Sequence, residues 1–364
     1  MSSPIPYFAG LKSRGASFAM RYRWLPLMAG LIFSGCDFLK IEEESTSPTA
    51  PPPAPVQQTQ APAAPPPPPP PPVVPPEKIA QQVIDEFYKL TPDQINDLSL
   101  QKLASIYDPA KGTVETLNLQ NSQITDNSFE SIKQFPNLKT LNLALTRITK
   151  GSMANLTDLH HLEVVNLGHT NADNEVVQLL VGIPTIRSID LNETPVDDDV
   201  LGILDQFENL ERLSIAGVGG VDGGGFRGAR KLNRLKALVL NKTGIVDQAI
   251  PIIAKYPLEE LHMSDCFKLT DAGISKLTGM KELKYLNLRD TKGLSSRGLS
   301  KVANNPKLWA LNVANIPNFN DQGLKFFARS KTLKYIDVGG TGVTDAGKAA
   351  LQKAIPDIKF GMPY

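Results

Sequence analysis

The sequence predicts an α/β solenoid: a parallel concave sheet backed by short convex helices, about ten repeats long, behind an N-terminal helical cap. Two observations predict it. A unit of three apolar positions, spaced as in Leu138, Leu141 and Leu143, returns ten times, from Val114, Leu117 and Leu119 to Leu333, Ile336 and Val338. Its middle residue advances from Leu117 to Ile336, 219 residues in nine steps, so one repeat takes about 24 residues, a period typical of stacked supersecondary units. The second observation is a Thr three residues after the unit, at Thr146, Thr170, Thr194, Thr243, Thr291 and Thr341.

Taken from the N-terminus, the 364 residues divide into unlike segments. From Met20 the chain reads Arg21 and Arg23, an apolar stretch from Trp24 to Phe33, and Ser34-Gly35 before Cys36. That stretch is too short to span a bilayer, and its order is that of a signal peptide. Phe33-Ser34-Gly35-Cys36 resembles the lipobox of bacterial lipoproteins, with Phe33 where Leu is usual. The resemblance implies cleavage after Gly35, lipidation of Cys36 and stable anchoring by two or more acyl chains. Met20 is an alternative start, and Asp37 resembles an inner-membrane retention signal that does not hold in all bacteria, which leaves the choice of membrane open.

Residues 36–76 read as a tether. Ser45 to Pro76 holds 16 of the 30 prolines, with an unbroken run from Pro65 to Pro72. Proline fixes φ and restricts the residue before it, so this segment favours polyproline II and cannot build a core. Residues 77–112 read as the cap: Ile79, Val83, Phe87 and Leu90 recur at helical spacing. Thr91-Pro92-Asp93-Gln94 then has the form of a capping box opening a second helix through Ile95, Leu98, Leu103 and Ile106. Residues 113–364 form the repeat domain, closed by a C-terminal cover around Ile358.

Within one repeat, the alternation Leu141-Asn142-Leu143 predicts a half-buried strand with Asn142 outward. The Thr hydroxyl can bond the backbone where the chain leaves the strand. A helix start follows, as in Leu269-Thr270-Asp271-Ala272-Gly273-Ile274, where Thr270 or Asp271 can cap. These residues resemble leucine-rich repeats, specifically the bacterial form LxxLxLxxTxITDxGLxxL, over about residues 110–358. The resemblance implies a curved stack whose neighbours share one core.

Little in the chain points to catalysis. Cys266 occupies a repeat slot held by Thr elsewhere and reads as a buried structural thiol. His160, His161, His169 and His262 lack the spacing of a metal site, and Gly217 to Gly228 lacks a phosphate-loop pattern, so it reads as an irregular connection with a poor helix. No cofactor, metal or catalytic residue is expected. Residues 1–35 carry four bases and no acids, so the chain beyond them has 34 basic and 37 acidic residues, a charge of −3 that argues against nucleic acid.

The concave face remains. One outward column reads Asn118, Asn142, Asn166, Asp190, Ser214, Val239, His262, Asn287, Asn312, Asp337, and its Asn and Asp side chains are expected to form a solvated ladder. The other column runs from Thr116 through Arg212, Ala237, Glu260, Tyr285 and Ala310 to Tyr335. Arg212, Glu260, His262, Tyr285, Arg289 and Tyr335 are residue types that anchor interfaces and form the candidate binding face. The expectation is a non-enzymatic scaffold, lipid-anchored in a bacterial envelope, presenting this face to a protein or to a glycan such as peptidoglycan. The alternatives are a structural envelope component without a concave ligand, and an enzyme with an unrecognised concave site.

Overall fold

A computed structural model describes residues 76–107 and 114–363. The signal segment, Cys36 and the proline tether lie outside the described residues. Eleven short strands form one parallel sheet in chain order: β1 (Thr116–Asn118), β2 (Thr140–Asn142), β3 (Val164–Asn166), β4 (Ser188–Asp190), β5 (Arg212–Ser214), β6 (Ala237–Val239), β7 (Glu260–His262), β8 (Tyr285–Asn287), β9 (Ala310–Asn312), β10 (Tyr335–Asp337) and β11 (Lys359–Phe360). Each pairs in register with the next, Leu117 with Leu141 and Leu141 with Val165, and the sheet stays open. The fold is therefore the expected α/β solenoid, ten full repeats and a short final strand. Because every period presents the same inward triplet, the leucines stack into one continuous core in which Leu117, Leu141, Leu213 and Leu286 are fully buried. Burying each such side chain contributes roughly 1.5–3 kcal/mol.

The strand exit is fixed by three local devices. Thr146, Thr170, Thr194, Thr243 and Thr341 each donate the hydroxyl to the carbonyl three residues back, at 2.6–2.7 Å. Thr291 instead reaches the Met263 carbonyl at 2.9 Å, because Cys266 fills the preceding slot and donates its thiol to the Leu240 carbonyl at 3.2 Å. Burial pushes that thiol's pKa up. One residue earlier the backbone turns left-handed in every full repeat, at Gly217 and Gly340 but also at non-glycine positions such as Asn121, Leu145 and Asp265.

The Thr-Asp pair of the repeat has two jobs. Thr270 caps its own helix by accepting from the Ala272 N–H, whereas Asp271 accepts from the Ser295 N–H (2.7 Å) and the Ser295 hydroxyl of the next repeat. The same forward link joins Asp97 to Thr125, Asp126 to Thr149, Asp247 to Thr270 and Asp321 to Thr344. The glycine three residues after the linked Thr or Ser makes room for this link: a Cβ on Gly273, Gly298 or Gly347 would overlap the preceding repeat's Asp carboxylate. The backbone N–H and hydroxyl of Thr344 hold the Asp321 carboxyl below its usual range. At Asp126 burial pushes the pKa up, but the Thr149 hydroxyl and N–H outweigh it and the net shift is downward.

Two expectations need correction. The cap consists of α1 (Pro76–Phe87) and α2 (Asp97–Ile106), but Thr91–Gln94 opens only a separate single turn, Pro92–Gln94. Asn96 takes extended backbone and exchanges hydrogen bonds with Ser99 (3.1 and 2.9 Å), so α2 starts there. The restart rotates the helix: Leu100 and Leu103 are buried and Leu98 is 74% exposed. The Asn column is a solvated ladder only in part: Asn118 is exposed and accepts from Asn142 Nδ2 at 3.0 Å, but the column's main contacts run to its own backbone. Asn142 and Asn312 are buried, and each Oδ1 accepts the N–H two residues on, at 3.1 and 3.0 Å, as do Asn166, Asp190, Asn287 and Asp337. These side chains turn back to satisfy the backbone at the strand end, where a donor would otherwise be left unpaired.

The glycine-rich segment forms one short turn, Gly224–Arg227, in place of a helix, with Phe226 buried beneath it. Its amides are already occupied. Gly223 N–H donates to the Asp198 carboxylate at 2.8 Å, and Gly225 N–H donates to its other oxygen. The nest that a phosphate would need holds this carboxylate.

Candidate binding face

The side-chain caps of the outward column lapse in three consecutive strands, at Ser214, Val239 and His262. Asn192 and Asn241 take over the work from the flanking loops, accepting from Ala216 N–H (2.6 Å) and Ser264 N–H (2.8 Å). Ser214 also donates its hydroxyl to Asn192 at 2.7 Å. The concave column is thereby released from its structural duty over β5 to β7.

Into that stretch the sequence places its charged and aromatic residues. Arg212 on β5 and Glu260 on β7 flank Ala237 on β6 in register. Because Ala237 carries only a methyl group, the two long side chains meet above it at 3.3 Å. The Glu260 carboxylate lies 3.8 Å from His262 Nε2, and the His262 ring stacks on Tyr285, centroids 4.8 Å apart at 24°. His262 and then Arg212 hold the Glu260 carboxyl below its usual range, against burial, which pushes it up. The His262 Nε2 is buried, and this carboxylate is its polar neighbour.

The six candidate residues do not form one cluster. Arg212, Glu260, His262 and Tyr285 are contiguous. Tyr335 lies two strands beyond Tyr285, past the fully buried Ala310, and packs its ring against Trp309 with centroids 4.8 Å apart. Lys359 places its ammonium 5.5 Å from the Tyr335 ring centroid. Arg289 sits beyond the strand, its Nε paired with Asp290 at 3.1 Å and its side chain 53% exposed.

Sequence reading of two outward columns missed a third, at the strand entrance. There Glu115, Lys139, Glu163, Arg187, Glu211, Lys236, Glu259 and Lys284 alternate in sign without exception, followed by Trp309 and Lys334. Adjacent members form ion pairs, among them Glu115–Lys139 at 2.9 Å, Glu211–Lys236 at 2.8 Å and Glu259–Lys284 at 2.6 Å. Extending the repeat alignment by one position would have found the column. Among the described residues no group of three or more His, Cys, Asp and Glu is placed to hold a metal ion.

No sequence family and no curated protein matches the chain. Solved structures do resemble it. An internalin, inlF, from Listeria monocytogenes is 17% identical, covers 78% of this chain and 93% of its own, and superposes with a TM-score of 0.50. A chain of the yeast Rad7 and Elc1 complex is 14% identical over 78% of this chain and 86% of its own, TM-score 0.41. Internalin C2 of Listeria monocytogenes is 21% identical over 57% of this chain and 91% of its own, TM-score 0.38. The internalin match and the eleven-stranded open sheet agree: the fold is the leucine-rich-repeat solenoid.

Proposed function

We propose that the protein is a non-enzymatic binding scaffold, anchored by lipid on Cys36 in a bacterial envelope, whose concave face engages a protein partner. One observation carries the reading of the face: His262 on the concave sheet lies 3.8 Å from the Glu260 carboxylate and stacks on Tyr285, and Arg212 reaches the same carboxylate across the small Ala237. Arg and Tyr are among the residue types that dominate protein interfaces. The anchoring part rests on the sequence Phe33-Ser34-Gly35-Cys36 and the proline tether behind it.

The test is crosslinking in the intact envelope, followed by identification of the captured protein. His262→Ala and Tyr285→Ala should each lower its recovery at least about tenfold, in line with the loss of an interface anchor. Unchanged recovery from both variants refutes the concave reading. Cys36→Ser should move the protein from the membrane fraction to the soluble one, and continued sedimentation with membranes refutes the anchor.

A further inference from the structure

The alternating column along the sheet entrance breaks at one place. From Glu115 to Lys284 every acid is followed by a base on the next strand. The rule then calls for an acid beside β9, and the chain supplies Trp309, with Lys334 next. Trp309 is 37% exposed, an unusual cost for a large ring at a position that is charged in the eight preceding repeats. Lys334 is exposed and has no ion-pair partner among the described residues, and Lys284 on the other side of Trp309 pairs with Glu259 and also acts on the Glu282 carboxyl.

The surroundings of the break favour an anion with an apolar stem. Trp309 and Tyr335 offer adjoining ring surfaces, and Lys359 stands over the outer one. A shallow hollow lined by Lys334, Tyr335, Pro356, Asp357, Ile358 and Lys359 opens beside them, so that two bases face one acid there. Elsewhere in the column the group that fits between two bases is a Glu side chain, a carboxylate on a short aliphatic stem. We propose that this corner is a docking site for an acidic segment of a protein partner, which inserts a carboxylate between Lys284 and Lys334 and lays its stem on Trp309. A phosphate polymer suits the site less well. Beyond this corner it would run along a column that carries Glu259, Glu211 and Glu163, and the chain beyond residue 35 has a net charge of −3. The site includes Tyr335 but no residue of the row from Arg212 to Tyr285, and it does not depend on His262.

The probe is a rhodamine-labelled hexaglutamate peptide, followed by fluorescence anisotropy with the full chain at low salt. Saturable binding is expected, weakened about tenfold between 0.02 and 0.2 M salt because exposed charge pairs are screened. Hexaglutamine should not bind. Lys334→Gln should weaken binding about fivefold, as expected for an exposed charge pair worth up to about 1 kcal/mol. Trp309→Glu restores the alternation internally and should abolish binding. Trp309→Phe should retain it within about twofold, and His262→Ala should leave it unchanged, which separates this site from the concave one. Binding of hexaglutamate that survives both Trp309→Glu and Lys334→Gln overturns the proposal. So does equal binding of hexaglutamine, or a single-stranded oligonucleotide that competes more strongly than the peptide at the same Trp309-dependent site. Concentration-dependent self-association abolished by Trp309→Glu would assign the corner to a second copy of the chain and also overturn it.

Discussion

Gly202 and Gly298 both lie inside short convex helices, Val200–Leu204 and Ser296–Val302. Helix propensity alone assigns both the same response to Ala, a gain of about 0.5–1 kcal/mol, since Gly loses more backbone entropy on folding. The structure separates them. A Cβ on Gly202 meets nothing within 4 Å, so Gly202→Ala should realise that gain. A Cβ on Gly298 would overlap the Asp271 carboxylate and stand 2.8 Å from the Asp271 Cα. The side chain alone could swing aside, but only by releasing the Ser295 N–H and hydroxyl that it accepts. Overpacking costs roughly 1–3 kcal/mol, so the balance for Gly298→Ala is a loss of about 0.5–2 kcal/mol. Urea unfolding of the full chain followed by circular dichroism reads the midpoints, compared at equal m because arrays of repeats can lose cooperativity. Opposite signs are expected. A midpoint raised by Gly298→Ala would refute the view that the glycine makes room for the link between repeats. Asp271→Ala with Gly298→Ala should cost less than the two changes summed, and only partly so, because the Asp271 Cα remains.

Three further outcomes follow from geometry already described. Tyr256 donates its hydroxyl to the Ala229 carbonyl at 2.6 Å, so Tyr256→Phe should cost about 1–2 kcal/mol by calorimetry. Burial pushes the Tyr256 pKa up to about 12 from 10.0, so the stability it contributes is complete below pH 10 and falls as pH rises towards 12; the Phe variant should lose less over that window, and parallel curves would refute this. Leu145 holds φ at 60° with an exposed side chain, and Leu145→Asn should raise stability by about 0.5–1 kcal/mol because Asn tolerates that backbone better; an unchanged midpoint would show no strain there. Asp97, Asp126 and Glu260 all have pKa values below those of the free side chains, 3.8 for Asp and 4.5 for Glu. Their contribution is thus present above the ordinary carboxylate range and lost as pH falls through the lower folded values. Carboxyl chemical shifts titrating at or above 3.8 and 4.5 would contradict these contacts.

The strands were legible because a side-chain period of two and a repeat of about 24 residues leave only one way to stack Leu117 on Leu141 and onwards. Apart from Thr291, the Thr hydroxyls were legible too, since their partners lie three residues away in the same chain segment. What alternation does not reveal is where a short polar side chain goes after leaving the strand. Asn142 occupies an outward position yet is buried against its own backbone. The destination of Asp271 was hidden for a related reason: Ser295 is 24 residues away, and only the stacking of repeats brings it within reach. In the candidate site, residue type pointed to Arg212, Glu260, His262 and Tyr285. Their grouping depends on the small Ala237 between them, and Arg289 drops out because its neighbour Asp290 captures it.

The forward link from Asp to the next Thr or Ser gives the array a direction. Each such repeat offers an acceptor to its successor, and at Asp345, whose side chain is fully exposed, the offer is met only by Lys348. Two cuts at equivalent points therefore heal differently from two cuts at unequal ones. Removing Asp271 to Ser295, one full period, joins Thr270 to Ser296 in phase and leaves the link from Asp247 to Thr270 closed. Removing the same length of chain out of phase strands a carboxylate. Changes in copy number, whether by recombination or by design, are thus quantised by the span from one Asp to the next, and the array can lengthen or shorten without a new interface having to be invented.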